Sequence, residues 1–385
     1  MRPVLFGIAF QLVVAFALTN IQVFITALES AAGGVMKLKD ATLEGTKFVF
    51  GYLGGSDLPF DLKAGGSTFV FAFQALPTII LVGTLSAILT YLKVLPFLSK
   101  VIGSVFKLVF GVKESVGIVS AAKIFVGQLE APLLIKSQLE RLSKQDMFII
   151  ISLAFATASA SVMPIYAGAL EVVCPDAMKH ILIASVISVI SVLIVSSIIM
   201  PREDELAENR NALGNQPYNS FMVAISKGLN DGISVWLSIV GALIGMVALI
   251  ALVDLILAQL PLCSGSPITL QRIFGIIMYP IAWLIGIDKS DILAVAQILG
   301  TKLVLNETIA YFELAKAAIS PQSVCKTIYA INNFGNFACI GITVGGMATL
   351  APGQKCVTQI AWKAFTAGLL ATFITAALMG MLVYS

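Results

Sequence analysis

Charged side chains are scarce in this sequence. Asp, Glu, Lys and Arg make up 12% of its 385 residues, whereas hydrophobic residues make up 58%. A soluble domain carries about 25% charged residues, so the composition argues against a soluble protein. The net charge of +3 is small and no basic cluster stands out, so we do not expect a nucleic-acid partner.

Residues that perform chemistry are also few. The one histidine, His180, follows Lys179 in a polar stretch, and we expect it to be solvated rather than to bind a ligand. Zinc-protease, nucleophile-elbow and Walker motifs are missing from the sequence. We therefore predict that the protein is not an enzyme and that it has no catalytic residues, metal ligands or cofactors. The cysteines show no spacing typical of a metal site or a disulfide framework; they are Cys174, Cys263, Cys325, Cys339 and Cys356.

Long apolar runs are abundant instead. A charge-free run of about 20 residues can cross the roughly 30 Å hydrocarbon core as a helix, and the first run is too long for a signal peptide. The stretch from Glu29 to Lys63 is polar and predicts a surface helix followed by a Gly-rich turn. The sequence thus predicts an all-α polytopic membrane protein with interfacial helices. Its seven expected spans lie at roughly 4–28, 66–92, 147–170, 181–200, 233–253, 327–352 and 364–384.

Two further apolar segments, 115–139 and 291–314, are interrupted by polar residues. Each is too broken for a normal span and too apolar for a loop in water. Irregular backbone at membrane depth is tolerated only where it lines a cavity or is packed in protein. We therefore interpret both segments as re-entrant hairpins with their polar tips near the membrane midplane.

The two hairpin tips resemble each other. The sequence Lys-Ile-Phe-Val-Gly-Gln at 123–128 aligns with Lys-Leu-Val-Leu-Asn-Glu at 302–307. Each hairpin precedes a span broken by small and polar residues, at 156–161 and at 332–336. Interrupted segments at corresponding places in two halves indicate the central binding site of a transporter.

An odd number of spans puts the two termini on opposite sides of the membrane. Lys and Arg are in slight excess on the N-terminal side, which favours a cytoplasmic N-terminus. We expect a multi-pass protein of the plasma membrane, the inner membrane of a bacterium.

Three motifs resemble the concentrative nucleoside transporter family. They are Gly-Gln-x-Glu at 127–130, Asn-Glu-x-x-Ala-Tyr at 306–311, and Phe-Gly-Asn at 334–336 with Gly345-Gly346 beyond it. They occur in the family's order, and the similarity extends from the Gly-rich stretch at 65–73 to the last helix. The resemblance places the start of this chain at the second helix of typical bacterial members.

The resemblance implies secondary active uptake of nucleosides by a homotrimer in the lipid bilayer. In each subunit, scaffold helices would hold a mobile transport domain made of two inverted repeats. The expected organisation is 1–92, scaffold helices with a surface helix; 93–200, repeat 1; 201–260, a loop and a long scaffold helix; and 261–385, repeat 2.

The resemblance also implies a substrate site between the hairpin tips and the broken spans. The nucleobase would meet Gln128, Leu129, Glu130 and Val162, and the ribose would meet Glu307, Phe334, Asn336 and Cys339. The coupling-ion region would comprise Lys123, Val126, Thr157 and Ala158.

This sequence departs from the family pattern inside that site. Leu129 replaces a Ser or Thr, and Cys339 replaces a serine on the ribose side. Lys123 replaces an Asn that helps to bind sodium in sodium-coupled members. Because a Lys has three donors and no acceptor, we expect protons rather than sodium as the coupling ion.

Other interpretations of these residues stay open at this point. One alternative makes Glu130 and Glu307 structural partners of Lys123 and Lys302. In the same interpretation the amides only join helices and Phe334 fills the core. A second alternative is that Lys123 extends to the interface and leaves a sodium site intact. A third alternative keeps the architecture for a cation or proton exchanger, or for a carrier of another polar metabolite.

Overall fold

The computed structural model describes residues 2–61, 68–201, 218–259 and 268–383, and these residues form helices and connecting turns without strands. The Gly-rich residues 65–67, Lys63, Cys263 and the expected domain boundary at 261 lie outside the described residues.

The first part of the chain differs from the prediction at one boundary. The expected span 4–28 ends early, because α1 (Arg2–Asn20) stops at Asn20 and the chain bends by 73° into α2 (Gln22–Phe50). Thr19 Oγ1 donates to the carbonyl of Ala15 at 2.9 Å, and Asn20 Nδ2 donates to that of Phe16 at 3.2 Å. Both side chains thus bond back to backbone one turn earlier in α1, a pattern that slightly destabilises and often bends a helix. A 3-10 turn at Gly51–Gly54 follows, then α3 (Phe71–Gln74) and α4 (Thr78–Tyr91).

One succession of elements then occurs twice, an amphipathic helix, a hairpin, a broken span and a long span. The first copy comprises α5 (Val94–Phe110), hairpin 1 with α6 (Glu114–Ala122), α7 (Glu130–Leu133) and α8 (Lys136–Leu139), the broken span α9 (Lys144–Ala156) and α10 (Met163–Leu170), and α11 (Ala177–Ile199). The second comprises α13 (Leu270–Ile285), hairpin 2 with α14 (Ile292–Val304) and α15 (Glu307–Lys316), the broken span α16 (Pro321–Ile331) and α17 (Phe337–Leu350), and α18 (Cys356–Val383).

The long helix α12 (Phe221–Leu257) separates the two copies. The broken span, α11 and α12 make three crossings from the first copy to the second. The second copy therefore starts on the opposite side of the membrane, which makes the repeats inverted.

Length and composition identify four candidate membrane spans among the described residues, namely Phe71–Tyr91, Ala177–Ile199, Phe221–Leu257 and Cys356–Leu382. Together with α1 and the two broken spans, they give the seven expected crossings. Helix α6 has 9 residues and α15 has 10. At 1.5 Å per residue neither reaches across the bilayer, as the hairpin interpretation requires.

Glycines allow the closest helix contacts. A Cβ added at Gly228 on α12 would lie 2.7 Å from Thr84 Cα on α4, and one at Gly232 would lie 2.7 Å from Ile80 Cα. Where α5 packs on hairpin 1, a Cβ at Gly103 on α5 would lie 2.7 Å from the carbonyl carbon of Gly117 on α6. Small residues of this kind let membrane helices approach closely without a hydrophobic driving force.

The interpretation of His180 as a solvated side chain is wrong. His180 lies in the first turn of α11 and is partly buried, and its Nδ1 is 2.8 Å from the hydroxyl of Tyr329 on α16. The apparent polar stretch is the start of a helix whose next turns are buried, and α16 packs beside it. The fold thus brings Tyr329 to His180 from 149 residues away. The polarity of the residues next to His180 in the sequence cannot predict such a contact.

Candidate functional site

Glu307 connects hairpin 2 to both broken spans. It is the first residue of α15 and is 6% exposed. Tyr166 on α10 donates its hydroxyl to Glu307 Oε1 at 2.9 Å, and Asn336 donates Nδ2 to Glu307 Oε2 at 3.3 Å. Two neutral donors therefore hold the carboxylate, one from each repeat.

Asn336 has a second role, because it begins α17. Its Oδ1 accepts a hydrogen bond from the backbone N–H of Cys339 at 2.9 Å. Asn306 begins α15 in the same way and accepts from Ile309 N at 3.0 Å. An Asn at the N-cap satisfies an N–H that has no partner within the helix. Asn336 thus combines a cap with a contact to Glu307, whereas Asn306 uses its side-chain oxygen as a cap.

Lys302 is bonded into the break of the second broken span. It is 2% exposed, and its Nζ donates to Asn333 Oδ1 and to the carbonyl oxygen of Gly335. Asn333 Oδ1 also accepts from Gly335 N at 2.8 Å. Within the described ranges Lys302 forms no ion pair with Glu307.

Lys123 makes the corresponding contact in the first repeat. It is 1% exposed, and its Nζ donates to the carbonyl oxygen of Thr157, in the break between α9 and α10, at 3.1 Å. Thr157 returns a bond from Oγ1 to the Lys123 carbonyl at 3.4 Å. The ammonium also lies 5.3 Å from the ring centroid of Phe334. The side chain is thus directed into the protein and not toward the interface.

The remaining residues of the expected coupling-ion region lie around that contact. Thr157 and Ala158 are fully buried in the break, and Val126 is 7% exposed at the tip of hairpin 1. An added cation here would meet the Lys123 ammonium.

The tip of hairpin 1 is less fully bonded. Glu130 is exposed, and its Oε2 accepts from the backbone N–H of Gly127 at 3.1 Å, which closes the turn. Gln128 Oε1 is buried and has no hydrogen-bond partner among the described residues. Leu129 packs on α17, since a Cβ added at Gly346 would lie 2.3 Å from Leu129 Cδ1.

The other expected substrate contacts line the two breaks. Val162 is 4% exposed and precedes α10, and Cys339 is 8% exposed in the first turn of α17. Phe334 is partly buried beside Lys123.

Two tyrosines in this region were not among the expected site residues. Tyr166 and Tyr311 stack with ring centroids 4.4 Å apart and an interplanar angle of 13°. The Tyr311 hydroxyl donates to Asn332 Oδ1 at 3.4 Å, and Asn332 Nδ2 donates to the carbonyl of Ile181 at 3.0 Å. The sequence did contain a signal for Tyr166. It lies in the second half of a broken span, and a buried tyrosine hydroxyl needs a hydrogen-bond partner.

Family models match almost the full chain in three pieces. Residues 180–380 match the C-terminal part of the Na+ dependent nucleoside transporters, residues 72–173 match a nucleoside recognition domain, and residues 1–53 match the N-terminal part of the same transporters.

Individual relatives agree with this assignment. An uncharacterized transporter of Haemophilus influenzae is 30% identical over 99% of this chain and 91% of its own length. The nucleoside permease NupC of Helicobacter pylori is 27% identical over 92% of this chain and 85% of its own length. Solute carrier family 28 member 3 of Rattus norvegicus is 28% identical over 99% of this chain, which spans 55% of that longer protein.

Solved structures show the same fold. CNTnw in an inward-facing substrate-bound state superposes with a TM-score of 0.89 at 28% identity, over 99% of this chain and 92% of the other. An outward-facing CNTnw variant gives a TM-score of 0.91 at 27% identity, over 99% and 91%. The chain is therefore a multi-pass plasma-membrane protein that belongs to the concentrative nucleoside transporter family, as its hairpin motifs predict.

Proposed function

We propose that this protein takes up nucleosides across the plasma membrane by secondary active transport that does not depend on sodium. The observation that carries the proposal is the convergence of both hairpins and both broken spans on one set of polar side chains. The relatives named as nucleoside transporters and permeases support the choice of substrate.

Glu307 is the residue suited to a ribose. An ionised carboxylate offers about four lone-pair sites, and Tyr166 and Asn336 use one on each oxygen. The free sites suit two sugar hydroxyls, which are donors, and bonds to a charged acceptor are about twice as strong as neutral ones. Asn336, Cys339 and Phe334 complete this side of the proposed site.

The nucleobase is assigned to the tip of hairpin 1. Gln128 has a buried oxygen without a protein partner, which suits a donor on a base edge, and Glu130 is exposed beside it. Leu129 and Val162 add apolar contacts. A Leu129→Ser substitution should shift the ratio of purine to pyrimidine uptake, because a polar contact changes discrimination by about 1–3 kcal/mol. An identical substrate ranking would remove Leu129 from the base site.

Independence from sodium is proposed from the position of Lys123. Its ammonium donates to the Thr157 carbonyl, one of the oxygens in the expected coupling-ion region. A sodium ion about 4 Å away would be repelled by roughly 4 kcal/mol at an effective dielectric constant of 20. Coupling would then pass to protons, with the Glu130 carboxylate as the proton carrier.

Uptake of labelled uridine and adenosine into proteoliposomes tests both the proposed substrate and the proposed independence from sodium. We expect uptake to survive replacement of external sodium by choline, to rise with an inward proton gradient and to vanish with a protonophore. Uptake that collapses without sodium and ignores the proton gradient would show that Lys123 leaves a sodium site intact. Proton-coupled flux of other solutes without nucleoside competition would instead favour an exchanger on the same fold.

A matched pair of variants tests whether Lys123 determines the coupling ion. Lys123→Asn should create a sodium requirement, because an amide oxygen can coordinate the ion and the repulsive charge is gone. Lys289→Asn changes an exposed lysine next to hairpin 2 and should leave the ion dependence unaltered. If both variants behave like the parent protein, Lys123 does not determine the coupling ion.

The subunit organisation is also a proposal. Helix α12 packs along α4 through Gly228 and Gly232, and these helices suit a scaffold, with the repeats at 93–200 and 261–385 as the transport domain. A homotrimer should appear as a single species of three chains in light scattering of the detergent-solubilised protein. A monomer or dimer there would contradict it.

A further inference from the structure

Three residues with metal-binding side chains meet at the end of the molecule where α11 and α16 begin. Cys174 lies in the loop before α11, His180 in the first turn of α11, and Cys325 in the first half of α16. Cys325 Sγ lies 3.8 Å from Cys174 Sγ and 3.8 Å from His180 Nε2, and all three ligand atoms fall within 4.8 Å of one another. This group lies outside the proposed substrate site.

The imidazole is oriented for ligation. Tyr329, one turn after Cys325 on α16, is 1% exposed, and its hydroxyl lies 2.8 Å from His180 Nδ1. With the hydroxyl accepting from Nδ1–H, the lone pair of Nε2 is directed at the Cys325 sulfur. A second hydrogen bond of this kind fixes the tautomer and the ring orientation of metal-binding histidines.

The spacing of the three ligand atoms fits a metal site. A disulfide needs sulfurs about 2.05 Å apart, far closer than the 3.8 Å found here. Around a tetrahedral Zn2+, with Zn–S of about 2.3 Å and Zn–N of about 2.05 Å, two sulfurs are about 3.8 Å apart and a sulfur and a nitrogen about 3.6 Å. Both distances to Cys325 fit these values. The third edge, between Cys174 and His180, is adjustable because Cys174 lies beside exposed loop residues.

The environment suits a thiolate-bound cation. Cys174 and Cys325 are each 6% exposed, whereas the neighbouring Val172 is 94% exposed. The sulfurs are therefore shielded from the surroundings, although an exposed surface lies only two residues away along the chain. On binding, each thiol would release one proton to solvent and form a Zn–S bond. Two thiolates then balance the charge of Zn2+, and the fourth position of the tetrahedron is left to water.

We propose that Cys174, His180 and Cys325 form a zinc-binding site that joins the two inverted repeats. Cys174 and His180 belong to the first repeat and Cys325 to the second. The bound ion would link α11 and the loop before it to α16, the helix that follows hairpin 2. It would stabilise the transport domain without contacting the substrate.

Metal content and thermal unfolding of the full-length protein test this proposal. The purified protein, without a histidine tag and with its thiols reduced by a phosphine, is incubated with zinc chloride, dialysed and analysed for metal. We expect one zinc per chain, a higher Tm with zinc, and protection of two cysteines from alkylation. Cobalt in place of zinc should give the thiolate-to-metal charge-transfer absorption. The alkylation result needs no variant, so it stands even where a substitution disturbs folding.

Substitutions assign the ligands. Cys174→Ser and Cys325→Ser should abolish the bound zinc, and His180→Gln should weaken its binding by more than tenfold. Tyr329→Phe removes only the second hydrogen bond and should weaken binding about 10–100-fold. Cys356→Ser is the matched control, because this half-buried thiol bonds to Gln354 away from the cluster, and it should bind zinc like the parent.

Three results would overturn the site. They are substoichiometric zinc in the reduced parent protein, full zinc binding in the Cys174→Ser/Cys325→Ser double variant, and a non-reducing peptide map of the untreated protein that shows these two thiols joined as a disulfide. Zinc-dependent stabilisation that persists in the double variant would likewise assign the effect to another part of the chain.

Discussion

Hairpin 1 and hairpin 2 each place a lysine and a glutamate around a short turn, and they differ in how many partners those side chains have. In hairpin 2, Lys302 donates to two acceptors and Glu307 accepts from Tyr166 and Asn336. In hairpin 1, Lys123 donates to one carbonyl and Glu130 accepts one backbone bond. Both lysines nevertheless reach a carbonyl in the break of the broken span that follows them.

This shared contact supports the alignment of the two tips. Lys123 Nζ reaches the carbonyl of Thr157 and Lys302 Nζ reaches that of Gly335, at corresponding places in the inverted repeats. In both repeats an ammonium therefore satisfies backbone that the break leaves without a helical partner, as membrane depth requires.

The difference between the hairpins concerns preorganisation. Glu307 is held by neutral donors before any substrate arrives, so hairpin 2 presents a fixed acceptor. Gln128 has a buried oxygen without a protein partner and Glu130 is exposed, so hairpin 1 has more bonding capacity left for a ligand. Fixed groups reduce the entropic cost of ordering side chains on binding. The unused hydrogen-bonding groups of hairpin 1 suit the nucleobase, which is the part of a nucleoside that varies.

The largest effect is expected from Glu307→Gln. The amide keeps the shape but loses the charge-assisted acceptor, worth roughly 1.5–3 kcal/mol per hydrogen bond. Nucleoside affinity should fall more than tenfold in calorimetry with the purified protein. Glu313→Gln on the same helix is the control and should bind normally. Equal affinities for both variants would remove Glu307 from the site and would erase the contrast with hairpin 1.

The next effect compares the two lysines. Lys302→Met removes two hydrogen bonds. The Gly335 carbonyl loses this donor, at a cost of about 1–3 kcal/mol for a buried acceptor left unsatisfied, and Asn333 Oδ1 keeps only the bond from Gly335 N. Lys123→Met takes the donor from Thr157 alone. Thermal unfolding in detergent should therefore show a larger fall in Tm for Lys302→Met, with the exposed Lys289→Met unchanged. A larger fall for Lys123→Met would mean that hairpin 1 is the more firmly bonded of the two.

Most of the architecture could be predicted from the sequence, because bilayer thickness fixes the length of a span. The two hairpins and two breaks were recognisable from Lys123, Lys302 and the polar runs that follow them. The bend after Asn20 was not, since Thr19 and Asn20 bond back to their own helix there, and polar residues at that position are equally typical of a continuing amphipathic helix.

Only part of the candidate site could be predicted from the sequence. The motifs indicated Glu307 and Asn336 by chemistry, yet not the donation from Tyr166, which comes from 141 residues away. The interpretation of His180 failed for the same reason, because its neighbours Cys325 and Tyr329 are contributed by the other repeat. Contacts between repeats depend on how the repeats pack, and a single sequence does not contain that information locally.

The smallest expected effect concerns the contact between hairpin 1 and α17. A Cβ at Gly346 would lie 2.3 Å from Leu129 Cδ1, whereas nothing lies within 4 Å of one at Gly345. Gly346→Ala should therefore displace the tip of hairpin 1, at an overpacking cost near the low end of the usual range, about 1 kcal/mol, because the end of a leucine side chain can rotate away. Nucleoside affinity should fall about fivefold, and Gly345→Ala should have no effect.

A second substitution determines whether this contact is the cause. Leu129→Ala removes the clashing methyl groups, so the Leu129→Ala/Gly346→Ala double variant should bind better than Gly346→Ala alone. The coupling energy from this double-mutant cycle measures the contact itself. If the two effects simply add, Leu129 and Gly346 act independently and the tip of hairpin 1 is not positioned by α17. If they couple, hairpin 1 depends on one apolar contact where hairpin 2 depends on hydrogen bonds, which is the difference in preorganisation between the two hairpins.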